Sequence, residues 1–178
     1  WSLVGSEMCI RDRGYLLPID FSGTKEALTT NIQTRKTARS FLKEGGAIVI
    51  FPGGTVSTTN SVFTKDAYDP RWRNFTARLI KQSNATIVPI YFYGQNSRLF
   101  HIASHISQTL RSALLFHEVR RRINTSVPLI IGDPIEFSSL DKDITNVQLS
   151  DYLRLITYRL NPIYKKVNIP FGKDFPEF

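Results

Sequence analysis

Residues Gly45 to Thr59 read GGAIVIFPGGTVSTT, an apolar run that leads directly into a turn rich in proline and glycine. The run from Ala47 to Phe51 has the length and the β-branched content of a buried strand. Pro52 ends this strand because it has no backbone N–H, and the two glycines after it permit positive φ angles or the close approach of another group. Such a turn can present several N–H groups to an anion, or it can be a purely structural turn.

The composition indicates one globular domain with a positive surface. The chain has 178 residues, of which 42% are hydrophobic, and this is enough for a sizeable core. Lys and Arg number 23 against 15 Asp and Glu, a net charge of +8 that favours polyanions or anionic lipid head groups as partners, or simply keeps the protein in solution. One Cys and one Met exclude an internal disulfide and a thiolate zinc site. No apolar run approaches the roughly 18 residues of a membrane span, so we expect any membrane contact to be peripheral.

The first 13 residues resemble translated sequencing-adapter sequence of the kind found at contig ends, and the chain starts at Trp1 rather than Met. We therefore separate residues 1–13 from residues 14–178 in the interpretation of the fold. Residues 1–13 hold two acidic and two basic residues, so the net charge stays at +8 without them. We expect the natural protein to continue upstream of Gly14, with residues 14–178 as the C-terminal portion of one domain.

Strands alternate with helices along the rest of the chain, which predicts a single α/β domain with a central mixed sheet flanked by helices. The predicted strands are 15–21, 45–51, 86–93 and 127–135. The predicted helices are 24–44, from about 70 to 81, 106–122 and 145 to about 161. The last of these helices begins with a capping box, Thr145-Asn146-Val147-Gln148.

The first predicted helix is amphipathic. Apolar residues recur at helical spacing and are expected to face the core; they are Leu28, Ile32, Ala38, Phe41 and Leu42. The basic residues Lys25, Arg35, Lys36, Arg39 and Lys43 are placed on the other face, which predicts either a solvated surface or contact with lipid head groups. Trp72 in the next predicted helix also has two interpretations: it is either a core residue or an anchor at a membrane interface.

The three histidines are the obvious candidates for acid–base or metal chemistry. His101 and His105 are four residues apart, as metal ligands on a helix are, but no Asp, Glu or Cys follows within ten residues to complete a site. His117 lies beside Glu118 in a basic helix, and adjacent helical residues do not face each other. We therefore expect no metal site. The motifs of serine hydrolases, P-loop proteins and dinucleotide-binding proteins are also missing from the sequence.

The motifs follow one another in a recognisable order. The segment Phe51-Pro52-Gly53-Gly54-Thr55-Val56-Ser57 follows a strand and precedes an amphipathic helix and a second strand that contains Ile87-Val88-Pro89-Ile90. This order resembles the glycerolipid and lysophospholipid acyltransferase superfamily. Residues 17–24 (LPIDFSGT) and 93–100 (YGQNSRLF) are similar to its bacterial branch of hemolysin-like proteins and lyso-ornithine-lipid acyltransferases. The resemblance extends from Gly14 to about Phe137.

The resemblance implies transfer of an acyl chain from a thioester of coenzyme A or acyl carrier protein to the hydroxyl of a lyso-lipid, with no cofactor. It also implies a peripheral protein on the cytoplasmic face of the inner membrane, in contact with an anionic membrane surface. In this family a histidine, paired with an aspartate five positions later, takes the proton from the acceptor hydroxyl. No histidine of this chain has an aspartate at that position, so we expect no catalytic residue among the 178 and an inactive fragment.

By the same resemblance, the acceptor site is expected to be lined by Phe51, Pro52, Gly53, Gly54 and Thr55. The family's turn usually reads Phe-Pro-Glu-Gly-Thr-Arg, and here Gly53 and Val56 replace the Glu and the Arg. That arginine is associated with the phosphate of a lysophospholipid, so its replacement favours a lyso-lipid that carries an amino acid, such as lyso-ornithine lipid. Arg98, after the strand at 86–93, is a candidate for the missing cation.

The alternative is a non-enzymatic basic module in which the turn binds a phosphate and the arginines contact a membrane. Nucleic acid is not an expected partner, because the sequence lacks the regularly interleaved aromatic residues of single-strand binding proteins. A His-x-x-x-x-Asp motif encoded upstream of Gly14, within about a hundred residues, would decide for the enzyme. Its absence there would favour the module.

Overall fold

The computed structural model describes Leu17, Ile19, Asp20 and residues 24–174. This part of the chain forms five α-helices and two short strands: α1 (Lys25–Lys43), α2 (Asn74–Ser83), β1 (Ile90–Phe92), α3 (Arg98–Ile106), α4 (Gln108–Arg122), β2 (Leu129–Ile131) and α5 (Asn146–Arg159). Single 3-10 turns, at Phe137–Ser139 and Pro162–Tyr164, precede and follow α5. No helix in the described ranges combines the length and the apolar character needed to cross a membrane.

The strands predicted near residues 90 and 130 are confirmed, but the ladder between them is short. β1 and β2 run antiparallel with Phe92 opposite Leu129, and an isolated bridge joins Ile87 to Ile135. Pro89 and Pro128 accept hydrogen bonds from Gly132 and Tyr93, each at 2.9 Å, but proline cannot donate one in return. The sheet of the described residues is therefore two-stranded and antiparallel, and the predicted central mixed sheet is not found in it.

The strand predicted at 45–51 is not a strand in the structure. Residues 47–51 have no ladder hydrogen bonds to another described segment, and the side chains of Val49 and Phe51 are 75% and 73% exposed. An apolar, β-branched run favours an extended backbone, but a strand also needs a neighbouring strand to pair with. The strand predicted at 15–21 lies largely outside the described residues.

The limits of α1 match the prediction, whereas the predicted buried face is confirmed only in part. The Thr24 hydroxyl caps its start by accepting a hydrogen bond from Ala27 N at 3.1 Å, and Gly45 follows its last residues with a φ of +85°. The buried residues are Ala27, Thr34 and Ala38, while Leu28 is 62% exposed and Ile32 is 37% exposed. α1 thus packs against α2 with its buried residues all small, including Ala38 as predicted, whereas Leu28 and Ile32 are exposed and Leu42 is half-buried.

The main core lies between α2 and α5. Its fully buried members are Ala77 and Ile80 from α2 and Leu149 and Leu153 from α5. Trp72 packs against this cluster, and its indole N–H donates to Asp69 Oδ2 at 3.0 Å, so Trp72 is a core residue. α2 begins at Asn74, later than predicted, because Arg73 has extended backbone angles and residues 70–72 form no regular secondary structure.

The helix predicted from residue 106 is in fact the second of two. The chain turns at Ser107, which has extended backbone angles, and its hydroxyl caps α4 by accepting from Leu110 N at 3.4 Å. The polar segment before it enters α3, where Ser97 Oγ accepts from Phe100 N at 3.2 Å. The capping box at the start of α5 is confirmed, since Thr145 and Gln148 exchange side-chain to backbone hydrogen bonds.

Candidate functional site

The turn after residue 51 is tight and is held against the chain that precedes α2. Gly54 N donates to the Phe51 carbonyl oxygen at 3.3 Å, and Gly54 has a φ of +70°, a conformation that favours glycine. Arg73 N donates to the Pro52 carbonyl oxygen at 2.9 Å. Gly53 is buried, whereas the side chain of Phe51 is largely exposed. The turn therefore presents an aromatic side chain at the surface and keeps Gly53 against the protein.

The apolar surface at Phe51 continues onto the sheet. The ring of Phe51 lies 6.5 Å from the ring of Phe92, centroid to centroid. Phe92 is opposite Leu129 in the ladder, and both side chains are 44% exposed. Ile131 lies two residues further along β2, on the same side of the strand, and is 62% exposed. The turn and the sheet together form one exposed apolar surface.

A buried arginine from α4 lies behind the turn. Arg111 Nη1 donates to Thr58 Oγ1 at 2.8 Å, and Nη2 donates to the Val56 carbonyl oxygen at 3.0 Å and to Thr55 Oγ1 at 3.3 Å. The Arg111 guanidinium carbon is 5.1 Å from the centroid of the Phe100 ring. Burial lowers the pKa of Arg111, although an arginine side chain stays protonated in proteins. Arg111 thus fixes the residues that follow the turn, including the Thr55 hydroxyl.

Sequence reasoning did not select Arg111, although a signal for it existed. Leu110, the apolar residue beside it, is 48% exposed in the structure. The buried residues of α4 are Arg111 and Glu118, seven positions apart and therefore on one helical face. Polar residues at this spacing, each next to one apolar residue, could have indicated a buried polar contact.

Arg98, the predicted substitute cation, contacts a different part of the chain. Its guanidinium donates to the carbonyl oxygens of Thr64 at 3.1 Å and Val62 at 3.0 Å. The Gln95 side chain holds the same loop, accepting from Ala67 N and donating to the Lys65 carbonyl oxygen, both at 2.9 Å. The segment 93–100 therefore clamps the loop at residues 62–67, and the guanidinium that contacts the turn belongs to Arg111.

The long polar loop after the turn is anchored at both ends. Thr58 and Tyr68 form an isolated bridge, with Thr58 N donating to the Tyr68 carbonyl oxygen at 3.2 Å. The Asp69 carboxylate accepts from Ser57 Oγ and from the Trp72 indole, and Asp69 N donates to the Tyr158 hydroxyl at 2.8 Å. These bonds connect the turn to the core between α2 and α5.

The histidines do not converge on one ligand site. His105 Nε2 lies 2.9 Å from the Thr59 carbonyl oxygen, which requires a proton on that nitrogen because a carbonyl can only accept. His101 is 3% exposed, neither of its ring nitrogens has a hydrogen-bond partner among the described residues, and burial lowers its pKa. His117 is exposed. Within the described ranges, no group of three His, Cys, Asp or Glu side chains could hold a metal ion.

A buried carboxylate joins α3 to α4 close to these histidines. Glu118 accepts hydrogen bonds from Ser97 N at 3.0 Å and from the Ser97 hydroxyl, and Arg121 Nη1 lies 3.7 Å from it. Burial alone would raise the pKa of Glu118, but the hydrogen bonds from Ser97 and the charge of Arg121 outweigh it and hold the pKa below its usual range. Glu118 therefore stays ionised and fixes the start of α3.

Two curated proteins are similar to this chain, and both are named lyso-glycine lipid O-acyltransferase. The relative from Phocaeicola vulgatus is 26% identical over 119 residues, which cover 64% of this chain and 42% of the relative. The relative from Bacteroides thetaiotaomicron is 26% identical over 141 residues, 72% of this chain and 51% of the relative. The chain thus spans about half the length of these relatives or less. No family model and no solved structure matches it. The two similarities support a relationship between this chain and lipid acyltransferases.

Proposed function

We propose that this chain contributes to an enzyme that transfers an acyl group to the hydroxyl of a lyso-lipid with an amino-acid head group, of the glycine-lipid class. The observation that carries the proposal is the similarity to two lyso-glycine lipid O-acyltransferases over 64% and 72% of the chain. The turn supports the same acceptor class. Val56 occupies the position at which the acyltransferase family that this chain resembles has an arginine associated with the phosphate of the acceptor. A glycine lipid has no phosphate to bind.

In this proposal the acceptor lies against the turn. Phe51, Pro52, Gly53, Gly54 and Thr55 form its wall, with the exposed Phe51 ring facing the apolar part of the lipid. Arg111 keeps the Thr55 hydroxyl in place from behind. Arg98 is the proposed contact for the head-group carboxylate, since an arginine has five N–H donors and two of them account for its bonds to the loop.

The chemical step is proposed to be general-base catalysis. A histidine takes the proton from the acceptor hydroxyl as that oxygen attacks the thioester carbonyl of the acyl donor, coenzyme A or acyl carrier protein, and the thiol leaves. No histidine of the 178 residues has an aspartate five positions later. The base is therefore proposed to come from outside these residues. The proposed location is the cytoplasmic face of the inner membrane, on an anionic membrane surface.

The test is a set of acylation assays on the protein expressed with the coding sequence that precedes Gly14. Lyso-glycine lipid, lyso-ornithine lipid and lysophosphatidate are offered separately with acyl coenzyme A or acyl carrier protein, and products are identified by mass spectrometry. We expect both amino-acid lipids to be acylated in preference to lysophosphatidate. Preferential acylation of lysophosphatidate would refute the acceptor class, and no product from any acceptor would refute the enzyme.

A double variant tests the role of the turn in acceptor choice. Gly53→Glu with Val56→Arg restores the sequence usual in the resembling family, and we expect it to raise turnover of lysophosphatidate relative to lyso-glycine lipid. Gly45→Glu with Val167→Arg makes the same change in composition at two positions outside the turn, where a side chain has room, and should leave this ratio unchanged. An unchanged ratio in the first variant would contradict an acceptor wall at residues 51–55.

A further inference from the structure

The outward face of α1 combines exposed aliphatic and basic side chains. Leu28 and Ile32 lie one helical turn apart and are 62% and 37% exposed. At 3.6 residues per turn they share an arc of roughly 100° with all of the basic residues of the helix. Those residues are Lys25, Arg35, Lys36, Arg39 and Lys43. Helical geometry therefore places aliphatic and basic residues on one surface, and the prediction that the basic residues lie on a separate face is wrong.

This arc carries no acidic residue. By the same helical period, Glu26 and the C-cap residue Glu44 both lie outside the arc. Glu44 accepts a hydrogen bond from Ser40 Oγ at 3.1 Å. None of the ion pairs found among the described residues involves the five cations of α1. The charge of this face is thus available to an external anionic partner.

We propose that the outward face of α1 binds the surface of an anionic lipid bilayer, with Leu28 and Ile32 inserted at the level of the head groups. Basic side chains on a helix are attracted to anionic lipids, and aliphatic side chains between them gain by leaving water for the acyl boundary. A nucleic acid would use the cations but would gain nothing from two exposed aliphatic residues. The inference names the surface that contacts the membrane in the proposed function, and it rests on that function only for the choice of a membrane as the partner. It includes no catalytic step.

The experiment measures binding of the 178-residue chain to vesicles of phosphatidylcholine, with and without phosphatidylglycerol, by co-sedimentation. We expect binding only when phosphatidylglycerol is present. Leu28→Ser with Ile32→Ser should weaken it at least tenfold, from the lost burial of two aliphatic side chains. Lys25→Gln, Lys36→Gln and Arg39→Gln together should weaken it by roughly fivefold for each cation removed.

Matched variants elsewhere on the surface serve as controls. Ile163 and Val167 are 72% and 56% exposed, so Ile163→Ser with Val167→Ser removes similar apolar surface and should change binding less than twofold. Lys142→Gln, Lys165→Gln and Lys166→Gln together remove the same charge as the α1 triple variant and should weaken binding far less. Circular dichroism checks that each variant keeps its helix content.

Several results would overturn the inference. These are binding without phosphatidylglycerol, equal losses in the α1 and control variants, or a wild-type level of binding for Leu28→Ser with Ile32→Ser. An RNA oligonucleotide that displaces the protein from vesicles, and that Leu28→Ser with Ile32→Ser binds as well as the wild type does, would point to a nucleic acid as the partner instead. Acyl transfer to acceptors dispersed in detergent does not depend on vesicle binding, so failure here is separable from failure of the proposed function.

Discussion

Replacing Arg111 with methionine should destabilise the protein by releasing the chain that follows the turn. The guanidinium donates to Thr58 Oγ1, the Val56 carbonyl oxygen and Thr55 Oγ1. Methionine keeps an aliphatic stem of similar length but removes every one of these donors. Thr58 is 0% exposed, so water cannot take the place of the lost donor there.

The expected loss follows from which acceptors lose their donor. The Val56 carbonyl oxygen keeps a hydrogen bond from Thr58 Oγ1 at 2.9 Å, and Thr55 is only partly buried. The main cost therefore falls on Thr58 Oγ1, whose charged donor is gone. A buried acceptor left without a donor costs about 1–3 kcal/mol, and we expect a net loss of about 2 kcal/mol for Arg111→Met.

Urea unfolding followed by circular dichroism measures this loss. With a slope of roughly 2 kcal/mol per molar, the unfolding midpoint should fall by about 1 M. Arg111→Lys should fall in between, because one ammonium group cannot reach all three acceptors as the guanidinium does. Arg78→Met, an exposed position on α2, is the control and should leave the midpoint unchanged. A midpoint for Arg111→Met equal to that of the control would refute the structural role given to Arg111.

Two further predictions concern Gly172 and His101. A Cβ at Gly172 would lie 1.8 Å from the Tyr68 carbonyl oxygen, so Gly172→Ala should lower the urea midpoint severely. Gly45 has nothing within 4 Å of that position, and Gly45→Ala should cost only the roughly 1 kcal/mol of a positive φ; equal midpoints for the two variants would contradict the close approach. His101 takes up protons less readily folded than unfolded because burial lowers its pKa, so its contribution to stability is lost as the pH falls through its ordinary value of 6.5. Between pH 7 and pH 5, the free energy of unfolding should fall less for His101→Leu than for the wild type. Equal falls in the two proteins would count against burial of His101 as the cause of the pH dependence.

The limits of α1 and α5 were predictable because their signals are local, whereas the start of α2 and the division between α3 and α4 were not predicted. The cap of α1 joins Thr24 to Ala27, and the capping box of α5 joins Thr145 to Gln148, so each depends on residues three positions apart. The position of the tight turn was predictable for the same reason, since a proline followed by two glycines restricts its own backbone.

The orientation of α1 was not predictable from periodicity alone. Leu28 and Ile32 have helical spacing, which indicates one face, but it does not say whether that face meets a neighbour. The small residues Ala27, Thr34 and Ala38 define the contact with α2 because they permit a close approach. The same limit applies to residues 47–51, whose composition favours a strand but cannot supply the strand beside it.

The sequence by itself determined where the chain turns after Phe51, where α1 and α5 begin, and a motif order similar to that of lipid acyltransferases. Local backbone and side-chain chemistry was enough for each of these. Only the tertiary structure decided which cation holds the turn. Arg111 is 56 positions from Thr55, and Arg98, which is nearer in sequence, bonds to the loop at 62–65 instead. Contacts between residues so far apart depend on how the helices pack, and no local pattern specifies that.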